Sequence, residues 1–144
     1  MSNPLVLVDS SAWIAHLTDQ PSEIASEIAD ILLPAHRAAI NAVVRIEVLT
    51  GASNEAQYTE LEERLSGLPF LGLTESVWRL AERARFELRT KGVLISVPDI
   101  VIAACAIAYG CELLHLDRHF DLIAKHAPLK IYKPSRSQRP ELSR

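Results

Sequence analysis

The sequence predicts one α/β domain built around a mainly parallel sheet. Three observations lead there. Short unbroken apolar runs, such as Leu5 to Val8 and Leu113 to Leu114, suit strands buried on both faces. Helical periodicities alternate with those runs, and no Asn-Gly or Asp-Gly pair marks a tight hairpin. With 144 residues, 49% of them hydrophobic, the chain is long enough to bury a single core.

Pro4 to Val8 reads as the first strand. Asp9 ends it, and Ser10 or Ser11 is placed to cap a helix beginning near Ala12. Pro21-Ser22-Glu23 opens a helix running to about Leu33, with Ile24, Ile28 and Ile31 on one face. Ala38 to Asn41 forms a weak strand, followed by a helix from Ala42 to Leu49 that Gly51 is placed to end. Over 54–66, Tyr58, Leu61 and Leu65 make a thin apolar stripe on a charged helix.

Phe70 to Leu73 reads as a short strand. Residues 74–91 form a longer helix in which Val77, Leu80, Ala84 and Leu88 align. Glu75–Arg79 and Glu87–Lys91 have the favourable i, i+4 charge order, and Gly92 ends the helix. The run 97–109 is apolar nearly all round past Asp99, which places it inside the domain, and Gly110 terminates it. Glu112 to Leu116 is a strand, Asp117 to Lys125 a short helix, and Leu129 to Tyr132 a last strand. The domain thus spans 1–132, and residues 133–144 read as a basic, disordered tail.

The formal net charge of −3 lacks the basic excess of many nucleic-acid binders. Setting four particular carboxylates aside moves it to +1, so the remaining surface is nearly balanced. Cys105 and Cys111 lie in apolar stretches without CxxC spacing, which points to buried, reduced thiols. No basic segment leads into a long apolar run at the start, and no apolar run approaches membrane-spanning length. A cytoplasmic protein without a membrane partner is expected.

The four carboxylates stand apart because each interrupts or borders an apolar segment. Asp9 follows Leu5-Val6-Leu7-Val8, Glu47 lies within Val43 to Leu49, Asp99 precedes Ile100 to Ala106, and Asp117 follows Leu113-Leu114-His115-Leu116. Burying a lone carboxylate there is costly. In an open parallel sheet, ligands bind beyond the carboxyl ends of the strands, and the predicted elements carry all four acids to such an edge. Two like charges about 4 Å apart repel by roughly 4 kcal/mol at an effective dielectric of about 20. A cluster of four therefore calls for protons or cations, and an all-oxygen donor set suits Mg²⁺, with Mn²⁺ also able to fit. Metal-assisted hydrolysis of a phosphodiester is the chemistry this arrangement suggests.

Four motifs in order carry a resemblance: Asp9-Ser10-Ser11-Ala12-Trp13-Ile14, then Arg45-Ile46-Glu47-Val48-Leu49-Thr50-Gly51, Pro98-Asp99-Ile100 before Ala103-Ala104, and Leu116-Asp117-Arg118-His119-Phe120. Together they resemble the PIN-domain ribonucleases, nearest to the VapC toxins of bacterial toxin–antitoxin pairs, over residues 4–132. The resemblance implies a three-layer α/β/α sandwich around a five-stranded parallel sheet. It implies a Mg²⁺-dependent endoribonuclease acting on RNA, a homodimer, held inactive by a cognate antitoxin. It assigns the metal to Asp9, Glu47, Asp99 and Asp117 as catalytic ligands, with Ser11 in support and Ser10 the weaker candidate for that place.

The competing readings are a PIN-type RNA-processing nuclease that is not a toxin, and a divalent-ion-dependent binding module without catalysis. Asp9-Ser10-Ser11 begins an Asp-x-Ser-x-Ser pattern, but Trp13 stands where the second Ser belongs. A phosphatase with an Asp9 nucleophile would want an acid at position 11, which is Ser. His115 and His119 are read as packing residues, Asp121 as a surface residue, and Arg45 and Arg118 as contacts for RNA phosphate or charge balance. Ile28 and Leu61, on the 22–33 and 54–66 helices, are expected to serve dimer or antitoxin contacts.

Overall fold

The computed structural model describes residues 4–18 and 21–135. Its centre is a parallel sheet of three strands, β1 (Val6–Val8), β2 (Ala38–Ala39) and β3 (Glu112–Leu114), in the order β2-β1-β3. Val6 pairs with Ala38 on one side and Glu112 on the other. All three β1 residues are 0% exposed, so helices must cover both faces of the sheet.

The five strands expected from the sequence occupy five positions, but the outer two are reduced to single parallel bridges, Ile40 with Phe70 and Leu113 with Ile131. Prolines explain the shortening. Pro69 accepts from the Ile40 N–H but has no N–H to return, and Pro128 and Pro134 bracket the other edge.

Seven α-helices surround the sheet among the described residues: α1 (Ser10–Leu17), α2 (Glu23–Glu27), α3 (Ala42–Thr50), α4 (Glu55–Leu65), α5 (Glu75–Thr90), α6 (Val97–Tyr109) and α7 (Arg118–His126). Helix α1 starts two residues before the expected Ala12, because Asp9 rather than a serine caps it. Helix α6 is the core helix: Ile100 through Ala106 are all buried, and α5 packs along it. Gly110 closes α6 in the left-handed region at φ 65°, and Gly92 follows α5 at φ 80°. Gly51 also ends its helix, but with right-handed backbone.

Two details depart from the simple periodicity. After α2 the chain widens into a π turn over Ile28–Leu32, closed by the Leu33 N–H donating to the Ile28 carbonyl at 2.9 Å. The wider turn stacks Leu32 on Ile28 and rotates Ile31 outward, so the expected Ile24–Ile28–Ile31 face becomes Ile24, Ile28 and Leu32. Ile28 is 0% exposed and serves the core, so it offers no contact surface to a partner. On α5, Glu75–Arg79 pairs as expected, whereas Glu87 pairs with Arg83 one turn back.

Cys105 and Cys111 are buried free thiols, as expected. No helix of the described residues is long and apolar enough to cross a membrane. The expected tail lies, from residue 136 onward, outside the described residues. Ser135 donates through both its N–H and hydroxyl to the buried carboxylate of Glu27, which also receives the Tyr132 hydroxyl.

Candidate functional site

Strand order reverses between β1 and β3. The chain leaves β1 toward β2 on one side, and β3 is added later on the other. The carboxyl ends of these two strands therefore flank a crevice. Asp9 follows β1 directly, and its N–H donates to the Leu114 carbonyl at 2.9 Å, closing the end of the sheet. Asp117 lies three residues past β3 and caps α7, accepting from the His119 N–H at 2.9 Å.

Asp9 is 4% exposed. Its Oδ2 accepts the Ser11 N–H at 3.1 Å and the Ser11 hydroxyl at 2.6 Å. The same hydroxyl oxygen accepts the Leu116 N–H at 3.0 Å, which ties the Asp9 carboxylate to the loop leading to Asp117. Glu47 projects from the middle of α3, whose start is fixed by Asn41 capping the Val44 N–H. The Ser10 hydroxyl donates to Glu47 Oε1 at 3.0 Å. Asp99 occupies the first turn of α6 but does not cap it; Ser96 does, which leaves the Asp99 carboxylate available for other work.

The charges of the acids act on one another across the crevice. Burial raises the Glu47 carboxyl above its ordinary range; the Ser10 hydrogen bond opposes that, and the charges of Asp9 and Asp99 raise it further. Burial likewise raises Asp99, with Ser96 opposing and Asp117 and Asp9 adding to the rise. Glu47 and Asp99 thus hold their protons more tightly, chiefly because they are partly buried and secondarily because other acids are near.

Two histidines flank the cluster. His115 is committed on both ring nitrogens: Nδ1 accepts the Asp117 N–H at 3.0 Å, and Nε2 meets Asp121 at 3.1 Å. Its ring also packs on Phe120, with centroids 5.3 Å apart. This agrees with the packing role read from the sequence, and it moves Asp121 from a plain surface residue to the group that orients His115. His119 departs from the expectation. Its ring is exposed, with Nδ1 lying 3.5 Å from Asp117 and 3.7 Å from Asp99. Asp99, Asp117 and His119 each present an atom within 4.8 Å of the others, close enough to share an ion. Position i+2 from a capping Asp was the available signal, because the cap brings that residue's N–H, and the start of its side chain, back over the carboxylate. Arg45 reaches Glu62 at 3.7 Å, which supports charge balance.

Oxygen donors from four acids, three of them held by serine hydroxyls or a helix cap, fit the needs of a small divalent cation.

A family model, PIN domain, matches residues 6–126. The chain is 32% identical over 130 residues to Ribonuclease VapC11 of Mycobacterium tuberculosis, covering 84% of this chain and 92% of that protein. Among solved structures, the fold is similar to DNA-bound VapBC from Salmonella typhimurium, with a TM-score of 0.76 and 21% identity over 90% of this chain and 98% of that one. It is also similar to VapBC2 from Rickettsia felis bound to a DNA fragment from its promoter, with a TM-score of 0.73 and 21% identity over 89% and 97%.

Proposed function

Because the chain belongs to the PIN-domain family, among the VapC ribonucleases, we propose that it is a metal-dependent endoribonuclease and the toxin of a toxin–antitoxin pair. One observation supports this reading beyond family membership: Asp99 and Asp117, with His119, stand close enough to share an ion, and the charges of Asp9 and Asp99 act on Glu47 from the same end of the sheet. Such a concentration of like charge in a half-buried crevice has no structural benefit of its own.

Asp9, Glu47, Asp99 and Asp117 would hold Mg²⁺ or Mn²⁺. Bound there, the ion supplies charge that shields the phosphodiester and lowers the pKa of water. The chain's own residues set the geometry. Ser11 fixes Asp9 against the Leu116 backbone, and Ser10 fixes Glu47. The α7 cap fixes Asp117, and His115, oriented by Asp121, holds the Asp117 N–H. Beside Asp117, an open depression of about 420 Å³ is lined by Arg118 and Lys125 as well as Asp121, and the two cations offer RNA phosphates an approach to an otherwise acidic crevice.

The partners follow from the same reading: an RNA substrate, a cognate antitoxin that blocks the crevice, and a second copy of the chain. Induced expression tests it. Wild-type protein should arrest growth and leave discrete cuts in cellular RNA, Asp9→Asn should do neither, and co-expression of the cognate antitoxin should restore growth. Arrest that persists with Asp9→Asn would overturn the catalytic reading.

A further inference from the structure

His119 brings a nitrogen donor to a site otherwise made of oxygen. Its Nδ1 stands 3.5 Å from Asp117 Oδ1 and 3.7 Å from Asp99 Oδ2, both beyond a good N–H···O hydrogen bond. The ring is therefore near two carboxylates without being bonded to either. Neighbouring ligands at about 2.1 Å from a shared ion lie roughly 3.0 to 3.4 Å apart, depending on whether the geometry is octahedral or tetrahedral. The observed separations are close to that range and need only a small ring rotation to enter it. His115, the other imidazole nearby, has both nitrogens engaged and cannot serve.

Chain geometry supports the placement. The His119 N–H is fixed on Asp117 Oδ1, so backbone and ring approach the same carboxylate. The ring is 59% exposed and stands within ion-pair reach of both carboxylates.

We propose that His119 is a direct ligand of the divalent ion, alongside Asp99 and Asp117, and that it biases the site toward Mn²⁺ over Mg²⁺. The inference rests on reading the crevice as a divalent-ion centre. Mg²⁺ demands oxygen ligands and keeps its waters, so an imidazole adds little to its binding, whereas first-row transition ions gain from nitrogen.

The test is binding and spectroscopy on the full chain, with Mn²⁺ and Mg²⁺ as probes. Pulsed electron paramagnetic resonance of bound Mn²⁺ should detect ¹⁴N coupling in the wild type and lose it in His119→Ala. Mn²⁺ affinity should fall by about tenfold or more in that variant while Mg²⁺ affinity changes by no more than about twofold. His119→Gln, which keeps a polar side chain of similar reach, should also lack the coupling, and circular dichroism checks that both variants fold. Mn²⁺ bound with no ¹⁴N coupling in the wild type overturns the role of His119 and leaves the metal centre standing. Equal losses for both ions also overturn it. Failure of the wild type to bind either ion overturns the metal centre itself, and His119's part with it.

Discussion

The Ser11 hydroxyl donates to Asp9 Oδ2 at 2.6 Å while its oxygen accepts the Leu116 N–H at 3.0 Å. One small side chain thus links the ends of the two central strands and points the deepest carboxylate of the site. Ser11→Ala removes both bonds, although the Ser11 N–H still reaches Asp9. Metal affinity should drop about 10- to 100-fold, as for other losses of a group that orients a ligand. Stability should fall by only about 1–2 kcal/mol. Ser11→Thr keeps the hydroxyl and should restore most of the affinity, read by titration calorimetry.

The acid cluster should destabilise the metal-free protein at neutral pH. Burial raises the Asp99 and Glu47 carboxyls above their ordinary values of 3.8 and 4.5. An acid whose pKa is higher in the folded state contributes fully below its unfolded pKa and loses that contribution as pH rises through the folded one. Stability should therefore decline on going from about pH 4 toward neutrality. Asp99→Asn escapes the loss, so in EDTA at pH 7 it should melt a few degrees above the wild type, with the gap closing near pH 4.

Metal should reverse that order. An ion at 100 times its dissociation constant stabilises the protein it binds by about 2.7 kcal/mol. Wild-type melting temperature should rise with Mn²⁺ or Mg²⁺, and Asp9→Asn and Glu47→Gln should lose most of the rise. Equal shifts in all three proteins would mean that the ion binds elsewhere.

Glu27 belongs to a separate structural device. It is buried and receives the Tyr132 hydroxyl and two donors from Ser135. Burial first, then Glu27, push the Tyr132 hydroxyl up to about 12. Raised above its ordinary value of 10, Tyr132 contributes fully below about pH 10 and loses that contribution as pH climbs toward 12. Tyr132→Phe should cost about 1–2 kcal/mol in urea unfolding at pH 7, with the difference from wild type shrinking in strong alkali. Metal affinity should not change.

The antitoxin contact is better sought at exposed apolar residues than at Ile28. Ile46 is 64% exposed beside Glu47, and Ile14 is 46% exposed one turn beyond Ser10. They lie on the two helices that carry Ser10 and Glu47. Ile46→Asp should weaken capture of co-expressed antitoxin by about tenfold or more without changing the melting temperature appreciably.

Much of this was legible in the sequence because the signals were local. Asp9, Glu47, Asp99 and Asp117 were conspicuous as charges set against apolar runs, and α6 announced itself by apolarity between Ser96 and Gly110. What was illegible depended on tertiary partners. Ser10 and Ser11 look alike in sequence, and only the packing of α1 on α3 and the approach of the loop after β3 send one to Glu47 and the other to Asp9 and Leu116. The π turn hides inside a helical pattern, since one extra residue per turn leaves the composition unchanged while exchanging Ile31 for Leu32. Glu27 reads as a surface helix residue because the donors that make its burial tolerable come from more than a hundred positions later.

The most direct test of the central claim is cleavage of cellular RNA by purified, antitoxin-free protein, with Mg²⁺, with Mn²⁺ and with EDTA, beside Asp99→Asn. Discrete cuts that require metal and vanish in the variant are the predicted result. Cutting that survives both EDTA and Asp99→Asn, or no cutting by folded, metal-bound protein, would contradict it.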